Sequence, residues 1–115
     1  MQAIYNKQGL TVAWLSGKDI YNKKGNFIGY LNGNAVYNIS SEYRGTLKQS
    51  FFRDSKGYVV AFLSGAKRGP ALPAIKPSPS KPSKKPKPSV RSISSAPTVK
   101  PFKSSWLRFN WDNWL

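Results

Sequence analysis

Apolar and polar residues alternate along the first part of the chain, and the alternation restarts every sixteen residues. Four units align without a gap: "AIYNKQGLTVAWLSG" (3–17), "DIYNKKGNFIGYLNG" (19–33), "AVYNISSEYRGTLKQ" (35–49) and "FFRDSKGYVVAFLSG" (51–65). The first two are identical at seven of fifteen positions, where chance gives about one. A leucine recurs at Leu15, Leu31, Leu47 and Leu63, and an apolar residue at Ile4, Ile20, Val36 and Phe52. Period-two alternation broken by turn residues predicts strands. Each unit therefore reads as a β-hairpin, and four hairpins give eight short antiparallel strands.

The turns carry their own chemistry. Asn6-Lys7-Gln8-Gly9, Asn22-Lys23-Lys24-Gly25 and Asp54-Ser55-Lys56-Gly57 share an Asx-x-x-Gly pattern. The Asx side chain caps a type I turn, and the glycine takes the left-handed conformation of a bulge that a Cβ penalises. Ser41 stands where the third unit should have its glycine, so that turn is expected to differ. Gly17, Asn32-Gly33 and Gly65 mark the junctions between units.

Small residues predict how the hairpins meet. Ala13, Gly29, Gly45 and Ala61 hold one place in every unit, two residues before the repeated leucine and so on its strand face. Glycine and alanine suit a strand where backbones approach closely, and four in register predict a pseudo-fourfold axis. A lone hairpin cannot bury its apolar face. Four in a ring remove the free edges and pool Val12, Ile28, Val60, Trp14, Tyr30 and Phe62 with the leucines. Arg44 and Thr46 break the pattern, marking the third unit as either a poorly packed corner or a corner specialised for contact.

Composition divides the chain. All nine glycines lie at or before Gly69 and all nine prolines at or after Pro70, which gives a repeat domain (1–66), a Pro/Ser/Lys-rich basic linker (67–103) and an aromatic C-terminal motif (104–115). The linker lacks the apolar residues for a core and its prolines lack donors, so it is expected to be disordered and extended. The net charge is +15, of which residues 67–115 carry +10, with eleven Lys/Arg against one acid. Such a field favours polyanionic partners. Lys81, Lys84, Lys85, Lys87 and Arg91 form the densest cluster, suited equally to nucleic-acid phosphates and an anionic membrane.

The terminal "SSWLRFNWDNWL" holds three of the four tryptophans. Capped by Ser104 or Ser105, a short helix places Leu107, Trp111, Trp114 and Leu115 on one face. Trp106, Leu107, Phe109, Trp111, Trp114 and Leu115 are the candidate docking residues. Their destination is the chain's own β-domain, a groove on a partner protein, or a membrane interface.

Enzymatic function is not expected. Histidine and cysteine are absent, and the acids are Asp19, Glu42, Asp54 and Asp112 alone, so triads, paired carboxylates and the usual metal sites lack their parts. No cofactor, metal or small-molecule substrate is expected. The N-terminus has no apolar signal region and no run is long enough to span a bilayer as a helix, which makes the cytoplasm the expected location.

The units "YNKKGNFIGYLNG" and "RDSKGYVVAFLSG" resemble the hairpin repeats of four-fold β-flower domain proteins, and "SSWLRFNWDNWL" is similar to the tail of such proteins. The resemblance covers residues 3–65, with the tail as an extra. It implies an all-β fold of radial hairpins around a shallow barrel, and it implies no activity. The expected function is that of a non-catalytic adaptor: the β-domain presents a binding surface, and the basic tail with its aromatic end tethers it to a larger assembly. The alternative is a nucleic-acid-binding protein, with Tyr5, Tyr21 and Tyr37 as a stacking row, or a peripheral membrane protein.

Overall fold

The computed structural model describes residues 1–67, 69–89, 99–103, 105–107 and 111–115. Eight strands follow the repeat: β1 (Gln2–Tyr5), β2 (Thr11–Ser16), β3 (Asp19–Asn22), β4 (Phe27–Asn32), β5 (Ala35–Asn38), β6 (Tyr43–Lys48), β7 (Phe51–Asp54) and β8 (Val59–Phe62). Each pairs antiparallel with the next, and β1 pairs with β8 through Tyr5 and Phe62, closing the barrel. One register shift falls at the same place in every hairpin, at Ile4/Tyr5, Ile20/Tyr21, Val36/Tyr37 and Phe52/Arg53. A bulge bends and twists its strand, so four equivalent bulges curl the sheet evenly until its edges meet. The molecule is a disc of 37 × 36 × 21 Å.

The Asx turns form as the spacing predicts. Asn6 Oδ1 accepts the backbone N–H groups of Gln8 (2.9 Å) and Leu10 (3.0 Å), while Gly9 sits at φ +80°. Asn22 and Asp54 repeat these bonds. The third turn does not differ, contrary to expectation. Asn38 Oδ1 accepts from Ser40 and Glu42 at 3.0 Å each, and Ser41 adopts the left-handed conformation at φ +61°. The Asx cap thus imposes the turn even where a Cβ resists it, at a cost of about 1 kcal/mol.

Strand alternation separates two faces. Inside lie Ile4, Ile20, Val36 and Phe52, all fully buried, with Ala13, Ala61, Leu15 and Leu63. The small-residue ring is as expected: Ala13↔Ile4, Gly29↔Ile20, Gly45↔Val36 and Ala61↔Phe52 face one another across strands. Val12, Ile28 and Val60 join this core. Trp14, Tyr30 and Phe62 do not, and here the expected pooling is corrected. They follow Ala13, Gly29 and Ala61 in regular strand and so point to the opposite face. Val12, Ile28 and Val60 are instead the extra residues of the bulges, where alternation breaks.

On that outer face they build an aromatic belt. Tyr30 stacks on Tyr37 (5.6 Å between ring centroids) and on Phe27 (6.3 Å). Tyr21 meets Phe27 edge-on, Tyr37 meets Tyr43, and Tyr5 meets Phe62. Burial, then the neighbouring Tyr37, raises the Tyr43 pKa above that of a free tyrosine. Tyr5, Tyr21 and Tyr37 are buried, so no tyrosine row is open to stack on bases.

Candidate functional site

The tail, expected to be disordered, lies along the barrel wherever its residues are described. It meets the hairpin tips one after another: Lys76 N–H donates to Gly9 O (3.1 Å), Lys85 N–H to Gly25 O (3.0 Å) and Lys103 N–H to Gly57 O (3.0 Å). Thr11 Oγ1 donates to Ser78 Oγ at 2.9 Å. The turn glycines make room for this strap. A Cβ on Gly9, Gly25 or Gly57 would stand 2.1, 2.0 or 2.3 Å from the carbonyl oxygen of Ala74, Ser83 or Pro101. Each glycine therefore serves twice, supplying a left-handed turn and a bare surface for the strap. Prolines do not prevent the seating, because only a few N–H groups are used. Lys76 and Lys85 each precede a proline, which holds them extended.

Gly25→Ala tests this seating. Strain at φ +87° and the collision with Ser83 should open the strap locally. Of Lys81, Lys84, Lys85 and Lys87, Lys84 alone is not followed by proline, so trypsin should cut after it. We expect cleavage roughly tenfold faster in the variant, corresponding to about 1.4 kcal/mol of lost local stability. An unchanged rate would mean that the strap is not held at this turn.

Beyond Lys103 the tail turns inward. Val59 N–H donates to Ser105 O (3.0 Å) and Leu107 N–H donates to Val59 O (2.7 Å), a parallel bridge that lays Trp106 beside β8. The Trp106 ring meets Phe62 at 6.1 Å, and its N–H reaches Ala71 O at 3.4 Å. A single helical turn, α1 (Trp111–Trp114), follows. The expected helix starting at Ser104 or Ser105 and carrying Leu107 is corrected, because Ser105 and Leu107 are taken up by the extended bridge to Val59. Trp111 and Trp114 are 3 % and 4 % exposed inside the barrel core, with Leu107 and Leu115 packed beside them. Both indoles meet the Phe52 ring, at 5.5 and 6.2 Å. Trp114 N–H donates to Arg44 O (2.9 Å), and Arg44 Nε donates back to Trp114 O (2.6 Å).

Of the three destinations open to the aromatic motif, the structure occupies the first, the chain's own β-domain. Arg44 is thus the corner specialised for contact, and what it contacts is the tail. Leu115 covers Gly29, where a Cβ would come within 3.0 Å of it. Beside α1, Val12, Asn22, Phe27, Ile28 and Ile39 line a groove of about 300 Å³ with Trp111 and Leu115. Phe109 lies outside the described residues, as does Arg91 of the basic cluster.

Lys81, Lys84, Lys85 and Lys87 are all exposed on the strap. Lys87 Nζ pairs with Asp19 at 3.1 Å and lies over the Phe27 ring at 5.2 Å. Lys84 Nζ is 6.0 Å from the Tyr21 ring centroid. Cations over ring faces are attracted by the ring quadrupole, so the aromatic belt helps to position Lys84 and Lys87. Among the described residues, no three acids gather where a metal ion could sit. Sequence reasoning missed Arg53, which stands in the belt position held by Tyr5, Tyr21 and Tyr37. Its departure from the repeat was the available signal.

No curated protein and no solved structure matches the chain. The family model of the 4-fold beta flower proteins matches residues 2–115, a span that takes in the strap and α1 as well as the barrel. With four equivalent hairpins closed about one axis, this chain belongs to the 4-fold beta flower protein family.

Proposed function

We infer that the protein is a non-catalytic binding protein that meets a polyanionic chain, nucleic acid foremost, through the lysines of its strap. The observation that carries this reading is the display of Lys81, Lys84, Lys85 and Lys87 on a backbone tied down at the hairpin tips. Held charges lose less entropy on binding than those of a free tail. The strap meets tips on different sides of the barrel, which suits a chain that bends around it better than a planar bilayer. With Tyr5, Tyr21 and Tyr37 buried, contact is to phosphates and insensitive to sequence. The terminal motif acts as an internal plug for the barrel in this reading, replacing the tether to a partner expected from the sequence.

Salt titration tests the reading. Four lysine–phosphate contacts on a single strand give a slope of about −3 in log K against log salt, a roughly fifty-fold loss between 50 and 200 mM. Changing the four lysines to glutamine should flatten that slope. Binding that ignores salt, or that survives the quadruple variant unchanged, would defeat the proposal. Capture by anionic vesicles without nucleic acid would move the function to a membrane surface.

A further inference from the structure

The third and fourth repeats depart from the pattern at two facing positions, one residue from each. Tyr21 faces Trp14 and Tyr37 faces Tyr30 across paired strands, and Tyr5 faces Phe62. At the equivalent place Arg53 faces Thr46. A hydroxyl and a guanidinium thus replace two aromatic rings together, and both residues are buried, Arg53 at 2 % and Thr46 at 4 % exposure.

The Arg53 guanidinium is stacked by two aromatic rings. Its Cζ lies 5.1 Å from the Phe51 ring centroid and 4.4 Å from that of Phe102 on the strap. Among the described residues, Nε and Nη1 are buried with no acceptor. Each acid whose side chain is described has a partner of its own. Asp54 Oδ1 caps its own turn, Asp19 pairs with Lys87, and Glu42 accepts from the Asn38 amide. Burial draws the Arg53 pKa below its usual value, yet a guanidinium keeps its proton in proteins. A buried cation with unsatisfied N–H groups is costly unless a counter-charge arrives, and arginine is the side chain best shaped to take a carboxylate or phosphate.

We propose that Arg53 and Thr46, walled by Phe51 and Phe102, form a binding site for a small oxyanion of the carboxylate or phosphate type. Phe102 is the lid: it covers the guanidinium while itself remaining 38 % exposed, so one ring separates the charge from water. The segment carrying it is tied nearby through Lys103 N–H to Gly57 O. Lifting that ring uncovers the site and leaves the inner core untouched. The site is separate from the lysine cluster and does not depend on it.

The test uses the full chain and compares melting temperatures in sodium phosphate, sodium acetate and sodium chloride at one ionic strength. At tenfold excess over its dissociation constant, the bound anion should raise the melting temperature by on the order of 5 °C relative to chloride. A shift with phosphate alone assigns a phosphate-type ligand, and one with acetate alone assigns a carboxylate. Arg53→Tyr restores the belt residue of the other repeats and should fold while losing the shift. Phe102→Ala, without one wall, should weaken anion binding several-fold. The variant with the four strap lysines changed to glutamine should keep the shift, which separates this site from polyanion binding. Equal melting temperatures in all three salts would overturn the proposal, as would a shift that persists in Arg53→Tyr.

Discussion

Replacing Trp111 and Trp114 together by alanine is expected to unfold most of the protein at room temperature. Deleting one large buried aromatic side chain from a core typically costs about 3–5 kcal/mol, while a whole domain is stable by about 5–15. The two indoles are 5.2 Å apart and share the Phe52 ring, so their losses couple. The double change also leaves Arg44 O without the indole N–H that it accepts, a further cost at a part-buried site. Urea denaturation followed by far-ultraviolet circular dichroism checks this. Trp111→Ala alone should still fold, with a lower midpoint. A double variant within about 0.5 kcal/mol of the parent, the range of surface substitutions, would show that the terminal motif is no part of the core.

Gly45→Ala should rank next, although alanine fills the equivalent place at Ala13 and Ala61. A Cβ on Gly45 would lie 1.8 Å from the carbonyl oxygen of Arg53 and within 3.0 Å of the Asp54 carbonyl carbon. Both are backbone atoms of β7, paired with β6 at that point, so relief requires moving a strand. We expect a loss of about 3 kcal/mol, the upper range of overpacking, read as a urea midpoint lower by roughly 1–2 M. Ala61→Gly, which only loosens the same ring, should cost about 1 kcal/mol. Equal effects from these two changes would mean that the third corner is no tighter than the fourth.

Much of the barrel is legible in the sequence because its signals are local. Asn6, Asn22, Asn38 and Asp54 set their turns through bonds that span two and four residues, and the sixteen-residue period then places every strand. Ser41 misleads because glycine is favoured at that position and not required. Trp14, Tyr30 and Phe62 are pooled with Val12, Ile28 and Val60 because the two sets are two residues apart, and the bulge that sends them to opposite faces leaves no mark in the alternation. The seat of the strap is hidden for a different reason. It uses backbone N–H and carbonyl groups, which composition does not reveal, and it lands on glycines whose turn geometry already accounts for them. Arg44 and Arg53 were visible only as departures from the repeat. One marks the seat of Trp114, the other a charge enclosed by aromatic rings.

The proline content of the strap acquires a metric meaning from its contacts with the hairpin tips. Nine residues separate Lys76 from Lys85, bonded to the first and second turns, and eighteen separate Lys85 from Lys103, bonded to the second and fourth. The first two hairpins are thus nine strap residues apart. Polyproline-type chain advances ~3.1 Å per residue, so nine residues cover roughly 28 Å. A quarter of the perimeter of a disc 36 Å across is also roughly 28 Å, so stiff chain at this rise leaves the first hairpin and comes to the second in step. A supple tail of equal length would shorten unpredictably between tips. Proline fixes the gauge of a chain that has to count round a ring.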